Sequence, residues 1–294
     1  MYQRAKYQEH YPWETLENPV ATVKRDGANF WLKIGPLGEP RFFSRRESVK
    51  GGFPERTEKL PHLTDIPVPQ LAGEVYNVEL IHTGHSKDAL ESHPAVSGIL
   101  NSLPPKAIET QRLTGPIRAV LFDVISPNLP TYGDKLEHLQ KVQEAFNKPD
   151  LLFTPQIKIG KSEIKKEIER TKHSKEEGVI ITSLTAPEEN NVRVKIKHKL
   201  TYNLKVIGIT QEYDISGKPK ESAGALIVAD RSGREVGNVG TGFTREMRRE
   251  IWNNKKAWIG KLVQVESMES TGTRLRAPVY NGEADGEWDL VTNR

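Results

Sequence analysis

Short apolar runs with polar residues at alternate positions recur along the chain and set its expected elements. Two such runs between residues 20 and 34 flank Asp26-Gly27, a pair that favours a tight turn. A hairpin is therefore expected, with Lys24 at the end of its first strand. β-Branched and aromatic residues predict further strands over residues 71–80, 117–125, 178–183 and 192–198. Asp134 followed by Glu137 has the form of a capping box, and Leu136, Leu139, Val142 and Phe146 then recur at helical spacing. Ser162 opens a second helix with Ile164 and Ile168 on its inner face. Residues 50–70 and 103–116 are rich in Pro, Gly and charge and read as surface loops.

A change of pattern near Tyr202 marks the expected domain boundary, giving domains over 1–202 and 203–294. Beyond it come short strands at 205–211, 223–229, 235–239 and 262–268, with one helix over 244–252 that turns Met247 and Ile251 inward. Residues 212–222 read as a loop too short for an extended latch around a duplex. Strands in this number with one helix suit a small β-barrel, of OB-fold or SH3-like type. The fold class is α+β, with a mainly antiparallel sheet in the first domain.

Composition narrows the chemistry. With 294 residues, 36% hydrophobic and 28% charged, the chain has the apolar material for two cores. No cysteine is present, which excludes disulfides, thiolate nucleophiles and Cys-based metal sites. The eight histidines show no H-x-x-x-H pairing, which argues against a zinc hydrolase. No apolar run reaches the length of a membrane span and no leader pattern is seen, so a cytoplasmic protein is expected. A net charge of +4 leans toward an anionic partner without deciding it.

The informative segment is Lys24-Arg25-Asp26-Gly27. A spaced K-x-D-G arises by chance in about one chain in fifteen of this length, and alone it reads as an exposed turn. Further segments follow it in order: Leu71-Ala72-Gly73-Glu74, Phe122-Asp123, Glu177-Gly178-Val179-Ile180 and Lys195-Ile196-Lys197. Strand alternation puts Arg193, Lys195 and Lys197 on one face and Val192, Val194 and Ile196 on the other; alone this reads as a solvated basic edge strand, and with the preceding segments as three cations that meet phosphate together.

This ordered set resembles the nucleotidyltransferase motifs shared by ATP-dependent DNA ligases, RNA ligases and mRNA capping enzymes. Farther on, residues 239–244 and 275–280 resemble the OB-domain signatures of DNA ligases, and the insertion at 93–106 is similar to short bacteriophage ligases. The resemblance implies an adenylation domain, antiparallel and ATP-grasp-like, followed by an OB-fold domain. It implies nick sealing with ATP as co-substrate and Mg²⁺ or Mn²⁺, by a monomer acting on nicked duplex DNA. An RNA ligase or a GTP-using capping enzyme is the alternative within the superfamily, and an inactive OB-containing DNA clamp is the alternative outside it.

The resemblance also assigns residues. Lys24 becomes the nucleophile that takes AMP, flanked in the ATP-binding motif by Thr22, Val23 and Arg25. Arg45 holds the nucleotide or the nick's 5′-phosphate, Glu74 accepts from the ribose, and Phe122 stacks on adenine. Glu177 binds metal, Lys195 and Lys197 bind phosphate, and Arg276 belongs to the last motif. Lys199, Arg245, Arg248 and Arg249 are the expected DNA contacts. A lysine nucleophile must be neutral, whereas an unperturbed lysine ammonium near pKa 10.4 is deprotonated only about once in a thousand at neutral pH. Neighbouring cations and a metal are therefore required. The chain departs from the family at Asn29, where arginine is usual, at Ala72, and within 282–285, with Asp289 left as a terminal acid.

Overall fold

The structure is a computed structural model that describes residues 6–8, 11–49, 51–85, 91, 93–125, 128–153, 158–174, 176–270 and 273–291. Contacts divide the chain into two units, Met1–Ile196 and Lys197–Arg294. Tyr202, the expected boundary, lies inside a strand of the second unit.

Among the described residues the first unit holds ten strands: β1 (Lys6–Gln8), β2 (Pro19–Lys24), β3 (Ala28–Ile34), β4 (Pro40–Ser44), β5 (Val75–Ile81), β6 (Arg118–Val124), β7 (Leu151–Phe153), β8 (Lys158–Ile159), β9 (Gly178–Ser183) and β10 (Val192–Lys197), whose last residue begins the second unit. They form two five-stranded sheets, ordered β1-β10-β9-β2-β8 and β4-β3-β5-β6-β7. Its helices are α1 (Pro61–Thr64), α2 (His93–Asn101), α3 (Pro104–Thr114), α4 (Tyr132–Phe146) and α5 (Lys161–His173).

The expected hairpin does not form. β2 pairs with β9 and β8, whereas β3 pairs with β4 and β5, so Asp26-Gly27 carries the chain from one sheet to the other. The constraint is visible at Gly27, where a Cβ would lie 2.2 Å from the Leu80 carbonyl oxygen. The glycine is needed for close approach to β5 rather than for a two-residue turn.

The stretch expected as a loop over 103–116 contains α3 instead. Pro104 and Pro105 occupy its first turn, where missing N–H donors do no harm, and Gly115 at φ 108° ends it. Gln111 then ties the helix down by donating to the Lys59 carbonyl (2.8 Å) and accepting from the Ile117 amide (3.1 Å). The cap of α4 is also shifted: Thr131 is the N-cap, and Asp134, the third residue of the helix, completes its capping box.

Each sheet has one apolar face. Ala21, Val179, Ile181 and Val194 of the first pack with Trp13 and with Ile164 of α5. Phe30, Leu32, Tyr76, Val78, Leu80, Ala119 and Leu121 of the second pack under Leu63, Val96, Ile99, Ala107, Leu139 and Val142 from the helices. Strand alternation leaves Thr22, Lys24, Arg193 and Lys195 on the other face of the first sheet. On the other face of the second sheet it leaves Asn29, Asn77 and Glu79.

A buried charge network joins these two polar faces. Asp123 of β6 accepts from Arg193 of β10 (3.0 Å) and pairs with Lys135 of α4 (3.2 Å), and Glu188 pairs with both cations (3.0 and 3.1 Å). Arg193 is only 3% exposed. It is therefore a cross-sheet strut and not the third phosphate-facing cation expected from its place on the strand. Burial alone would push the Asp123 carboxyl up, but Arg193 and Lys135 outweigh it and hold the group below its ordinary value.

The second unit is a five-stranded antiparallel sheet, ordered β13-β12-β11-β14-β17. Its strands are β11 (Leu200–Tyr213), β12 (Pro219–Ala229), β13 (Glu235–Val239), β14 (Leu262–Ser267) and β17 (Val279–Glu283), with a small pair β15 (Glu269–Ser270) and β16 (Leu275–Arg276). An isolated bridge joins Thr241 to Val279, linking the two ends of the sheet at one point. Helix α6 (Arg245–Asn253) is capped by Thr244 and buries Ile251; α7 (Lys255–Trp258) follows. The segment read as a loop over 212–222 is largely the end of the β11–β12 hairpin. Its turn is fixed by Asp214, which accepts from the Ser216 and Lys218 amides (2.9 and 2.8 Å).

Removing Arg193 leaves two carboxylates facing a single buried lysine. Arg193→Leu should therefore destabilise the chain by about 3–5 kcal/mol in denaturant unfolding at neutral pH. Because the folded-state value of Asp123 is depressed, its contribution is full above the unfolded carboxylate value near 3.9 and is lost as pH falls through the folded value. The gap between wild type and Arg193→Leu should narrow below about pH 4. A gap that is constant through acid would remove Asp123 from the account.

Candidate active site

Lys24 ends β2 opposite Gly178 on β9, and Glu177 is the residue just before that strand. The register brings the two side chains together, and Lys24 Nζ donates to Glu177 Oε2. Both are half-buried, at 17% and 24% side-chain exposure, so the pair is shielded yet reachable. Thr22 lies two residues back on the same face and is buried. The side chain of Val23 is on the opposite face by alternation.

The turn after Lys24 is held by the segment that leads into α2. Glu91 accepts from Arg25 Nη1 and from the Asp26 amide, both at 2.7 Å. Burial pushes the Glu91 carboxyl up, and Arg25 and the Asp26 amide oppose it. Arg25 is thus engaged in fixing the turn.

Across the cleft, three strands contribute one row. Asn29 of β3 is opposite Glu79 of β5, and Arg45 follows the Ser44 that pairs with Phe30. Asn29 Nδ2 donates to Glu79 Oε2 at 3.0 Å, and Arg45 Nη1 donates to Asn29 Oδ1 at 2.5 Å. Glu79 is close enough to Lys24 and Glu177 to feel both charges. Burial pushes its carboxyl up to about 7, the Glu177 and Glu91 carboxylates push the same way, and the Asn29 amide and Lys24 oppose them.

The structure removes Glu74 from this cluster. The uninterrupted β3–β5 register sets Glu79 opposite Asn29 and continues to Val75 opposite Lys33. Five residues of strand put Glu74 about 17 Å from Glu79. Glu74 also lies on the apolar side of the sheet, where Tyr76 donates to it and His138 of α4 bonds it at 2.6 Å. Burial and Glu74 together push the Tyr76 hydroxyl far up. The carboxylate that faces Lys24 from β5 is Glu79. Its signal in the sequence is an acidic residue inside the otherwise mostly apolar strand Val75–Ile81.

Phe122 belongs to none of the core clusters, although its strand is otherwise buried. The β5–β6 ladder explains this. Asn77 pairs with Asp123 but Val78 pairs with Leu121, so Phe122 is the extra residue of a β-bulge. A bulge turns two successive side chains toward one side, and here it brings Phe122 to the polar face beside Asp123. Lys195, half-buried, is on the cleft face of β10, and Lys197 is the last residue of that strand.

Among the described residues no group of three or more His, Asp or Glu forms a cage for a metal ion. Glu177 with Glu79 nearby does fit the lighter requirement of Mg²⁺, which takes one or two carboxylates and completes its shell with water and phosphate oxygens.

In the second unit Arg245, Arg249 and Arg276 are exposed. Arg248 has a different role from the phosphate contact expected of it. Its guanidinium donates to the carbonyls of Ala223 (2.9 Å), Gly224 (2.8 Å) and Gly240 (2.5 Å), clamping α6 to the sheet. Lys199 pairs with Glu266 at 2.8 Å. Asp289, expected as a terminal acid, accepts from the Asn203 amide at 2.7 Å and ties the C-terminal segment to β11. Among the described residues no helix is long and apolar enough to cross a membrane.

No family model and no curated protein matches the sequence. Solved structures do match. The structure named Pmar-Lig_Pre. is 16% identical with a TM-score of 0.69, over 96% of this chain and 68% of that one. A Lig E DNA ligase, described as binding DNA with a minimal scaffold, is 14% identical with a TM-score of 0.67, over 97% of this chain and 100% of that one. The ATP-dependent DNA ligase of bacteriophage T7, in complex with ATP, is 17% identical with a TM-score of 0.50, over 95% and 98%. The chain, mixed α/β with antiparallel sheets in both units, has a fold similar to that of these DNA ligases.

Proposed function

We propose that the chain is an ATP-dependent DNA ligase that seals nicks in duplex DNA through a lysyl-AMP intermediate on Lys24. The observation that carries this reading is the pairing of Lys24 Nζ with Glu177 Oε2 in a polar cleft that Glu79, Phe122 and Lys195 also face. The first unit, Met1–Ile196, acts as the nucleotidyltransferase domain. The second, Lys197–Arg294, acts as an OB-fold domain, a reading supported by its five antiparallel strands and by the Thr241–Val279 bridge between the edges of their sheet.

The chemistry follows from the placement of charge. Lys24 Nζ attacks the α-phosphorus of ATP, a P–N bond forms, and pyrophosphate leaves. Lys24 must give up a proton before it attacks, and Glu177 Oε2, to which it donates, is the adjacent acceptor. Mg²⁺, held by Glu177, supplies charge neutralisation on the phosphates when bound. Lys195 and Lys197 support the same charge as fixed cations, Phe122 offers its ring to adenine, and the backbone of Thr22 and Val23 borders the base. AMP then passes to the 5′-phosphate of the nick, and the 3′-hydroxyl displaces it. The exposed Arg245, Arg249 and Arg276, with Lys199, supply phosphate contacts to the duplex, and the protein acts as a monomer. Labelled ATP or GTP with Mg²⁺ and a nicked duplex tests nucleotide choice, adduct and sealed product together. Equal adduct from GTP would redirect the reading to capping enzymes.

Lys24→Ala should abolish the protein–AMP adduct in intact mass spectra yet retain some sealing of a nick already bearing 5′-AMP. A normal adduct in that variant sinks the assignment. Among the two β5 glutamates, Glu79→Gln should slow adduct formation by at least about tenfold, while Glu74→Gln stays within about twofold. The reverse order would restore Glu74 to the site. Each phosphate contact adds about 0.9 to the slope of log affinity against log salt. Sealing of dilute nicks should therefore fall steeply between about 50 and about 200 mM salt, and adduct formation much less. Equal salt sensitivity of the two steps would exclude DNA grip as the weak link.

A further inference from the structure

We infer that Asn29 is a positioning residue that joins Arg45 to Glu79 in one row across β4, β3 and β5, and so fixes Glu79 beside Lys24. The inference rests on the reading of Lys24 as the nucleophile.

The two hydrogen bonds leave no freedom in how the Asn29 amide is turned. A guanidinium can only donate, so it must meet the amide oxygen, and the amide nitrogen is left to Glu79. Oδ1 must face Arg45 Nη1 (2.5 Å) and Nδ2 must face Glu79 Oε2 (3.0 Å). Asparagine is the residue of this size that presents an acceptor to one neighbour and a donor to the other. Aspartate keeps the first bond but removes the donor to Glu79, so the two carboxyl groups repel or must hold a proton between them. Arginine at position 29 would reach Glu79 but would set its charge against Arg45. Asn29 and Arg45 thus act as a matched pair that brings a guanidinium's influence to Glu79 from one strand farther away.

The row matters because Glu79 stands among three other charged groups, Lys24, Glu177 and Glu91. A carboxylate in that company turns toward whichever donor is fixed. Asn29 is fixed: its strand is paired on both sides, and Arg45 holds its amide from behind, with the guanidinium 5.8 Å from the Trp31 ring. With Glu79 directed at Asn29, Lys24 Nζ is left to Glu177.

A double-mutant cycle tests this with Asn29→Asp, Glu79→Gln and the double variant of the full chain. Lysyl-AMP formation is followed by intact mass against ATP concentration, and thermal melting is recorded without nucleotide. Asn29→Asp alone should lower kcat for adduct formation by at least about tenfold, with a smaller change in KM, and should lower the melting temperature. In the Glu79→Gln background the same substitution should have little effect on either, because the amide introduced on β5 can donate to the new carboxylate. Equal factors in both backgrounds, or no loss in Asn29→Asp alone, overturn the inference. If Glu79→Gln leaves too little rate to measure, the melting cycle decides on the same criterion. A wild-type chain that forms no adduct with ATP overturns the reading of Lys24 beneath it, a result distinct from either pattern in the cycle.

Discussion

Four charges between two sheets set the terms for the rest of the first unit. Asp123, Arg193, Lys135 and Glu188 sum to zero formal charge, and their mutual bonds offset a desolvation that each alone would resist. Apolar packing contributes less between the two polar faces, because each sheet directs its larger apolar cluster outward to its own helices and a small cluster of Val20 with Tyr132 and Leu136 of α4 lies between them. The network joins them at one end of the cleft. At the other end Lys24, Glu177 and Glu79 remain partly reachable, and a ligand's phosphates could replace some of the bonds made there now.

Much of this was legible in the sequence where local pattern and final structure agree. The strands Gly178–Ser183 and Glu235–Val239 have the limits read from local residue pattern, and Thr244 caps the helix expected at that point. The readings that failed needed partners from elsewhere in the chain. Asp26-Gly27 has hairpin chemistry, but nothing local reveals that β2 finds β9, more than 150 residues later. Proline and charge over 103–116 suggested a loop because two prolines in a helix's first turn look like breakers until the helix behind them is known. Arg193 shares a strand face with Lys195, and only the position of Asp123 on another sheet separates a strut from a phosphate contact.

The candidate site divides along the same line. Lys24, Glu177, Phe122, Lys195 and Arg45 are named from motifs, and of these the structure pairs Lys24 with Glu177 and ties Arg45 through Asn29 to Glu79. Leu71-Ala72-Gly73-Glu74 has motif-like spelling and points to Glu74, whereas strand register decides which glutamate faces the lysine, and that is Glu79. Arg248 was named for its charge, and three carbonyls take its donors instead. Charge in a sequence says little about where its counter-charge comes from.

The bulge at Phe122 has a consequence for how this strand can change in length. β6 is one residue longer than the ladder beside it requires, and that surplus is what lets Phe122 and Asp123 share a side. Deleting one residue there would restore a regular ladder and a quieter strand, yet it would send either the aromatic ring or the network's carboxylate into the oily layer under α4. The strand's irregularity is thus an inherited phase offset between two patterns, one for the helices and one for the cleft. Substitution can vary the residues on either side of that offset, but insertion or deletion within it would put the two patterns out of step.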